Sequence, residues 1–136
     1  MRNRDSLIRL HRFQVDEKRR QVAELEVMLQ EFRTRERELE AQVLLEQEKA
    51  GISDVAHFAY PMFAKSVIRR RENILNSIQD IERQLEAAKE DLSGAFRELK
   101  KYEIVEDNRK LRLRREAVRV EQRELDDIAL GIHRRR

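Results

Sequence analysis

The 136-residue sequence contains no cysteine and no tryptophan, one proline and three glycines, and only five Phe and two Tyr. Zero cysteines excludes a disulfide scaffold, a thiolate metal site and a cysteine nucleophile, and fits a reducing compartment. No stretch approaches the roughly 18 consecutive apolar residues that a membrane-spanning helix needs. The basic start, Met1-Arg2-Asn3-Arg4-Asp5, runs straight into further charge where a signal peptide has an apolar run. The expectation is a soluble, intracellular chain. With aromatics at 5% of residues, there is too little bulk to close a compact core.

What the chain has instead is charge, 42% of its residues against roughly 25% in an ordinary domain. Acidic and basic side chains balance over residues 1–105, so the net charge of +3 arises entirely in residues 106–136. The apolar residues are sparse but regular, which separates this composition from disorder. From Ile8, alternating steps of three and four give Ile8, His11, Val15, Lys18, Val22, Leu25, Leu29, Phe32, Glu36, Leu39, Val43, Glu46 and Ala50. From Val67 they give Val67, Arg71, Ile74, Ile78, Ile81, Leu85, Ala88, Leu92, Ala95, Leu99 and Tyr102. Both are heptad seams, each the signature of a helix burying one narrow stripe against another helix. The polar seam members of the first helix can lay their stems along the seam and keep their charges in water.

The two seams fit one arrangement. If the chain reverses within residues 51–61, antiparallel helices of equal rise place residues opposite each other when their numbers sum to about 112. The helix start near Asp5 then faces about residue 107. There the second seam loses its apolar content, continuing as Glu106, Arg109, Leu113, Glu116, Val120, Arg123, Asp127 and Leu130. The predicted fold is all-α, a long antiparallel two-helix coiled-coil hairpin with a C-terminal helical overhang. Residues 1–136 form a single hairpin with a helix over about 5–50, a turn over 51–61, a helix over about 62–130 and a basic tail over 131–136. Gly51 stops the first helix, and Pro61 suits the first turn of the second.

Catalysis has no support. His11, His57 and His133 fall on the first helix, in the turn and in the tail, without helical metal-site spacing. Glu36, Glu38 and Glu40 step by two and point to different sides of a helix. Gly51, Gly94 and Gly131 build no phosphate loop. The chain is expected to be no enzyme and to carry no metal, cofactor or small-molecule substrate.

Binding surfaces remain. Arg109, Arg112, Arg115, Arg119 and Arg123 form a basic stripe, and the last four recur at three- and four-residue steps on one face of the overhang. The stripe reads either as a solvated surface with internal ion pairs or as a strip docking into an acidic protein groove. Nucleic acid is disfavoured: neighbouring acids dilute the field, and the stripe has no aromatic residue for stacking. Phe58, Tyr60 and Phe63 cluster at the turn with Met62. They either plug the end of the hairpin or form an exposed contact patch.

The opening run Asp5-Ser6-Leu7-Ile8-Arg9-Leu10-His11-Arg12-Phe13, continuing through Val22, resembles the flagellar FliJ family. So do Ala50-Gly51-Ile52-Ser53-Asp54 through His57-Phe58-Ala59-Tyr60-Pro61, as in alphaproteobacterial members, and Glu124-Leu125-Asp126-Asp127-Ile128. The turn segment is the more specific signal, because it is not heptad sequence. The resemblance covers essentially the whole chain. It implies a soluble component of the flagellar type III export apparatus, cytoplasmic and peripheral at the inner face of the cell membrane at the flagellar base. It further implies a shape similar to the stalk of rotary ATPases, insertion into the hexameric export ATPase, engagement of the export gate membrane protein, and handling of substrate chaperones. In that setting Arg112, Arg115, Arg119 and Arg123 are expected along the ATPase contact. Phe58, Tyr60 and Phe63 are expected at the far end, toward the gate or a chaperone. Two other readings stay open: a basic coiled coil that binds nucleic acid, and a structural coiled coil that self-associates through Leu113, Val120 and Leu130.

Overall fold

The computed structural model describes the backbone of two helices, α1 (Arg2–Ala50) and α2 (Asp54–Arg135), with the side chains of residues 4–49 and 61–135. There is no strand among the described residues. The expected all-α two-helix hairpin is the fold. Its packing divides into two compact units, one of Met1–Val15 with Ala95–Arg136 and one of Asp16–Gly94.

In the unit of Asp16–Gly94 the two helices meet along the heptad seams. Val22, Leu29, Ile78, Ile81, Leu85 and Ala88 are buried together, with Leu25, Phe32, Ile74 and Leu92 packed around them. A second cluster joins Leu39, Val43 and Val67, flanked by Phe63 and Ile74. Removing a buried branched side chain from such a cluster costs roughly 2–5 kcal/mol. Ion pairs cross beside the seam: Lys18 to Asp91 at 3.9 Å, Arg33 to Glu82 at 3.4 Å, and Arg71 to Glu40 at 2.6 Å. Low numbers on α1 pair with high numbers on α2, so the segments are antiparallel. Each pair sums to within a few of the expected value of about 112. These bridges are solvent-exposed and worth at most about 1 kcal/mol each, so they set register while the apolar seam supplies stability.

In the other unit Ile8, Val15 and Leu99 are buried, and the His11 and Tyr102 rings stack with centroids 4.5 Å apart. Of the first seam's members from Ile8 to Glu46, all are buried or half-buried except Glu36. Arg71 and Tyr102 of the second seam lie at its exposed margin.

Helix boundaries differ from expectation at both ends of α2. The helix begins at Asp54, so residues 54–61, expected as turn, are helical, with Pro61 inside the helix. A proline that close to the N-terminus forfeits one backbone hydrogen bond, a cost the remaining turns absorb. The helix also continues through residues 131–135, expected as a tail, and no described glycine takes a positive φ, so Gly131 extends the helix instead of capping it. The expected stop at Gly51 lies outside the described residues.

Two substitutions test these points. The buried His11 Nδ1 has no hydrogen-bond partner. His11→Phe keeps a ring against Tyr102 and removes that polar atom, so urea unfolding should show a gain of about 1 kcal/mol. A Cβ added at Gly131 meets nothing within 4 Å. Gly131→Ala should therefore raise helix content at the C-terminus, by about 0.5–1 kcal/mol of local stability in hydrogen exchange.

Candidate partner-binding surface

The seam of the Met1–Val15 and Ala95–Arg136 unit closes on a charge pair. Glu106 is only 5% exposed although it occupies the heptad position held by Ile78, Leu85, Leu92 and Leu99 in the four preceding repeats. Arg109, one turn on, donates from Nε to Glu106 Oε2 at 3.0 Å and from Nη2 to Oε1 at 2.6 Å. The groove around them is lined by Asp5, Ile8, Arg9 and Arg12 of α1 and by Glu103, Asp107 and Lys110 of α2. The hydrogen bonds from Arg109 hold the Glu106 carboxyl below its ordinary value of 4.5; burial opposes this, and the charges of Arg109, Lys110 and Arg4 reinforce it. The same bond raises the Arg109 guanidinium, against its own desolvation and with help from the Glu106 and Asp5 charges. Bidentate geometry makes this the strongest side-chain contact in the unit.

Beyond it, every residue from Lys110 to Leu130 is exposed, while α2 continues to Arg135. At 1.5 Å per residue this projecting stretch is about 38 Å of helix. Its exposure follows from sequence: α1 supplies no seam opposite residues beyond about 110. Arg112, Arg115, Arg119 and Arg123 all lie on this stretch and are exposed. Arg119 reaches Glu116 at 3.8 Å, while Arg112, Arg115 and Arg123 form no ion pair among the described residues. Leu113 and Glu116 share a shallow surface groove with Arg109, Arg112, Arg115 and Arg119. The stripe is thus mostly open to a partner, but Arg109 is half-buried and already committed to Glu106. The two opposite charges stand three residues apart at consecutive seam positions, a spacing that the hydropathy pattern registers only as lost apolar content.

The turn aromatics part company. Phe63 is half-buried and packs against the Leu39, Val43 and Val67 cluster, so this ring helps plug the seam. The side chains of Phe58 and Tyr60 lie outside the described residues, although both stand within α2. Met62 is 78% exposed and shares an outer groove with Lys65, Ser66, Arg69, Arg70 and Asn73. Arg71 instead turns to the Glu40 carboxylate, bonding it through Nε and Nη2 at 2.6 and 2.7 Å. No group of three or more His, Asp or Glu among the described residues converges as a metal site would require. No described helix is long and apolar enough to cross a membrane. The chemistry available is therefore that of a surface: exposed guanidinium groups, exposed aliphatic side chains and a projecting helix that presents both.

Comparison with known proteins gives one family match, to the model described as the flagellar FliJ protein, over residues 3–136. No curated protein and no solved structure matches the chain.

The charge pair makes a pH-dependent prediction. A carboxylate whose pKa is lowered on folding contributes stability that is complete above its unfolded value and lost as pH falls through its folded one. Glu106→Gln should therefore destabilise the protein in urea at pH 7, with the difference from the parent closing as pH drops below the ordinary carboxylate range. A difference that stays constant down to pH 2 would mean that the charge of Glu106 contributes nothing.

Proposed function

We propose, from the premise that this chain belongs to the flagellar FliJ family and is a component of the flagellar protein export apparatus, that it serves there as a stalk whose projecting helix engages the hexameric export ATPase. The observation that carries this reading is the stretch Lys110–Leu130, fully exposed and helical, with a face of arginines. A single helix of about 10–12 Å diameter is the slenderest folded element a protein can offer, and can enter a central opening end-on. Arg112, Arg115, Arg119 and Arg123 then meet an acidic lining, where complementary charge fixes register and speeds encounter more than it adds affinity. Arg109 lies at the root of the projection and supports it through Glu106.

The start of α2 carries the second contact. Phe58 and Tyr60 are proposed, with exposed Met62, as the contact for the export gate membrane protein or a substrate chaperone, while Phe63 packs into the seam. Its place is the cytoplasm, peripheral to the inner face of the cell membrane at the flagellar base. The role is mechanical, so no catalytic group, cofactor or small-molecule substrate enters it.

The test is the ATP hydrolysis rate of the export ATPase from the same organism, titrated with the full chain. Stimulation at low stoichiometry is expected. Reversing Arg112, Arg115, Arg119 and Arg123 together to Glu should abolish it while leaving thermal unfolding within a few degrees. Unchanged stimulation by that variant would remove the arginine face from the contact, and no co-elution with the hexamer would overturn the stalk role itself.

A further inference from the structure

A second stripe on the projecting stretch has no place in the hairpin. Ile104, Leu111, Val118, Leu125 and Ile132 recur at a strict spacing of seven, and all five are between 43% and 64% exposed. The exposed apolar residues of α1 (Leu7, Leu10, Phe13, Val27, Met28, Leu44, Leu45) contain no pair seven apart. Nor is the stripe the hairpin seam carried onward. Ile104 points away from α1 at a level where Leu99 and Glu106 are buried facing it. Two residues separate Ile104 from Glu106, about 200° around the helix. Such a stripe supplies one of the two seam positions in each heptad of a coiled coil; the other, three residues on, is held by Asp107, Arg114, Glu121 and Ile128.

We infer that Ile104, Leu111, Val118, Leu125 and Ile132 form the seam of a symmetric antiparallel dimer with a second copy of this chain, its two-fold axis passing at Val118. Symmetry requires each residue to find its match at an equal distance on the other side of Val118. Leu111 then faces Leu125 of the second copy, Ile104 faces Ile132, and Val118 meets itself. All five layers are apolar on both sides.

Charge selects the same arrangement. Around Val118 the flank toward the N-terminus is basic, with Lys110, Arg112, Arg114 and Arg115, and the flank toward the C-terminus is acidic, with Glu121, Glu124, Asp126 and Asp127. Projecting these positions onto two antiparallel helices at 100° and 1.5 Å per residue puts Arg114 beside Glu121 of the second copy. In the next row Arg112 comes beside Asp126 and Lys110 beside Glu124. The two-fold axis doubles each pair, so three kinds of contact become six ion pairs. A parallel copy in register sets basic flank against basic flank and acidic against acidic, which the same charges oppose. The strict seven-residue spacing drifts about 20° per heptad on a straight helix, so the pair winds as a left-handed supercoil.

The apolar stripe is set apart from the arginine face proposed for the ATPase, and of that face only Arg112 also enters the dimer contacts. Arg119 follows Val118 by one residue, about 100° around the helix. The dimer inference therefore stands or falls without the stalk reading.

Sedimentation equilibrium of the full chain over a wide concentration range tests the proposal. A reversible monomer–dimer equilibrium is expected, weakening as salt rises. Val118→Glu places two carboxylates on the axis and should leave a monomer of unchanged helix content by circular dichroism. Arg114→Glu and Glu121→Arg should each raise the dimer dissociation constant about tenfold, since two symmetric attractions become repulsions, and the double variant should restore it. Orientation is read by crosslinking, as the chain has no cysteine of its own. Leu111→Cys and Leu125→Cys variants, mixed and oxidised, should form the mixed disulfide in preference to either homodimer. A monomer at every concentration, a dimer indifferent to Val118→Glu, or preferential homodimer disulfides would each overturn the proposal.

Discussion

The constraint on which this molecule depends is that a helix with one neighbour can bury only one stripe. Each described segment of α1 meets a segment of α2 along a single line of heptad positions, and the remaining surface of both faces water. That is why a chain so rich in charge folds at all. Charged side chains fill positions that have no interior to occupy, and the few apolar residues are saved for the line of contact. It also means that stability accumulates layer by layer, with no central core to carry a damaged layer. The seam from Val22 to Leu92 shows this economy in its alternation of large residues from the two helices.

The ending of the seam follows from the same constraint. Where α1 runs out of partner residues, an apolar position on α2 would have nothing to cover it on one side. Glu106 and Arg109 solve this by facing each other across one turn, each saturating the other while their stems continue the packing. Past that point α2 has no neighbour within the unit, and its residues divide by face: arginines on one, the Ile104-to-Ile132 stripe on another. The two proposed contacts thus draw on adjacent sides of the same helix.

Much of this was legible in the sequence because heptads are a one-dimensional code. Alternating three- and four-residue steps picked out the buried positions of both helices, and the residue sum of about 112 anticipated contacts such as Arg71 with Glu40. Four features escaped. The start of α2 at Asp54 and its run through residues 131–135 were hidden because Pro61 read as the first turn of the helix and the basic end as a tail, yet a long helix absorbs one lost hydrogen bond or one flexible residue. Phe63 clustered in sequence with Phe58 and Tyr60, but its place one helical turn before Val67, on the same side of α2, sets it against the seam. Glu106 looked like the loss of a core position, because a hydropathy pattern does not reveal that a partner three residues on can satisfy a buried carboxylate.

The unaccompanied stretch beyond Lys110 differs in kind from the rest of α2. Its helicity rests on its own backbone bonds and on short-range charge pairs such as Arg119 with Glu116, and a helix without tertiary contacts is only marginally stable in water. Warming therefore loosens it while the seam at Glu106 still holds, so that the projection grows shorter before the seam comes apart. The distance at which this protein can touch something is consequently a thermal variable, and whatever grips the outermost turns also sets its length.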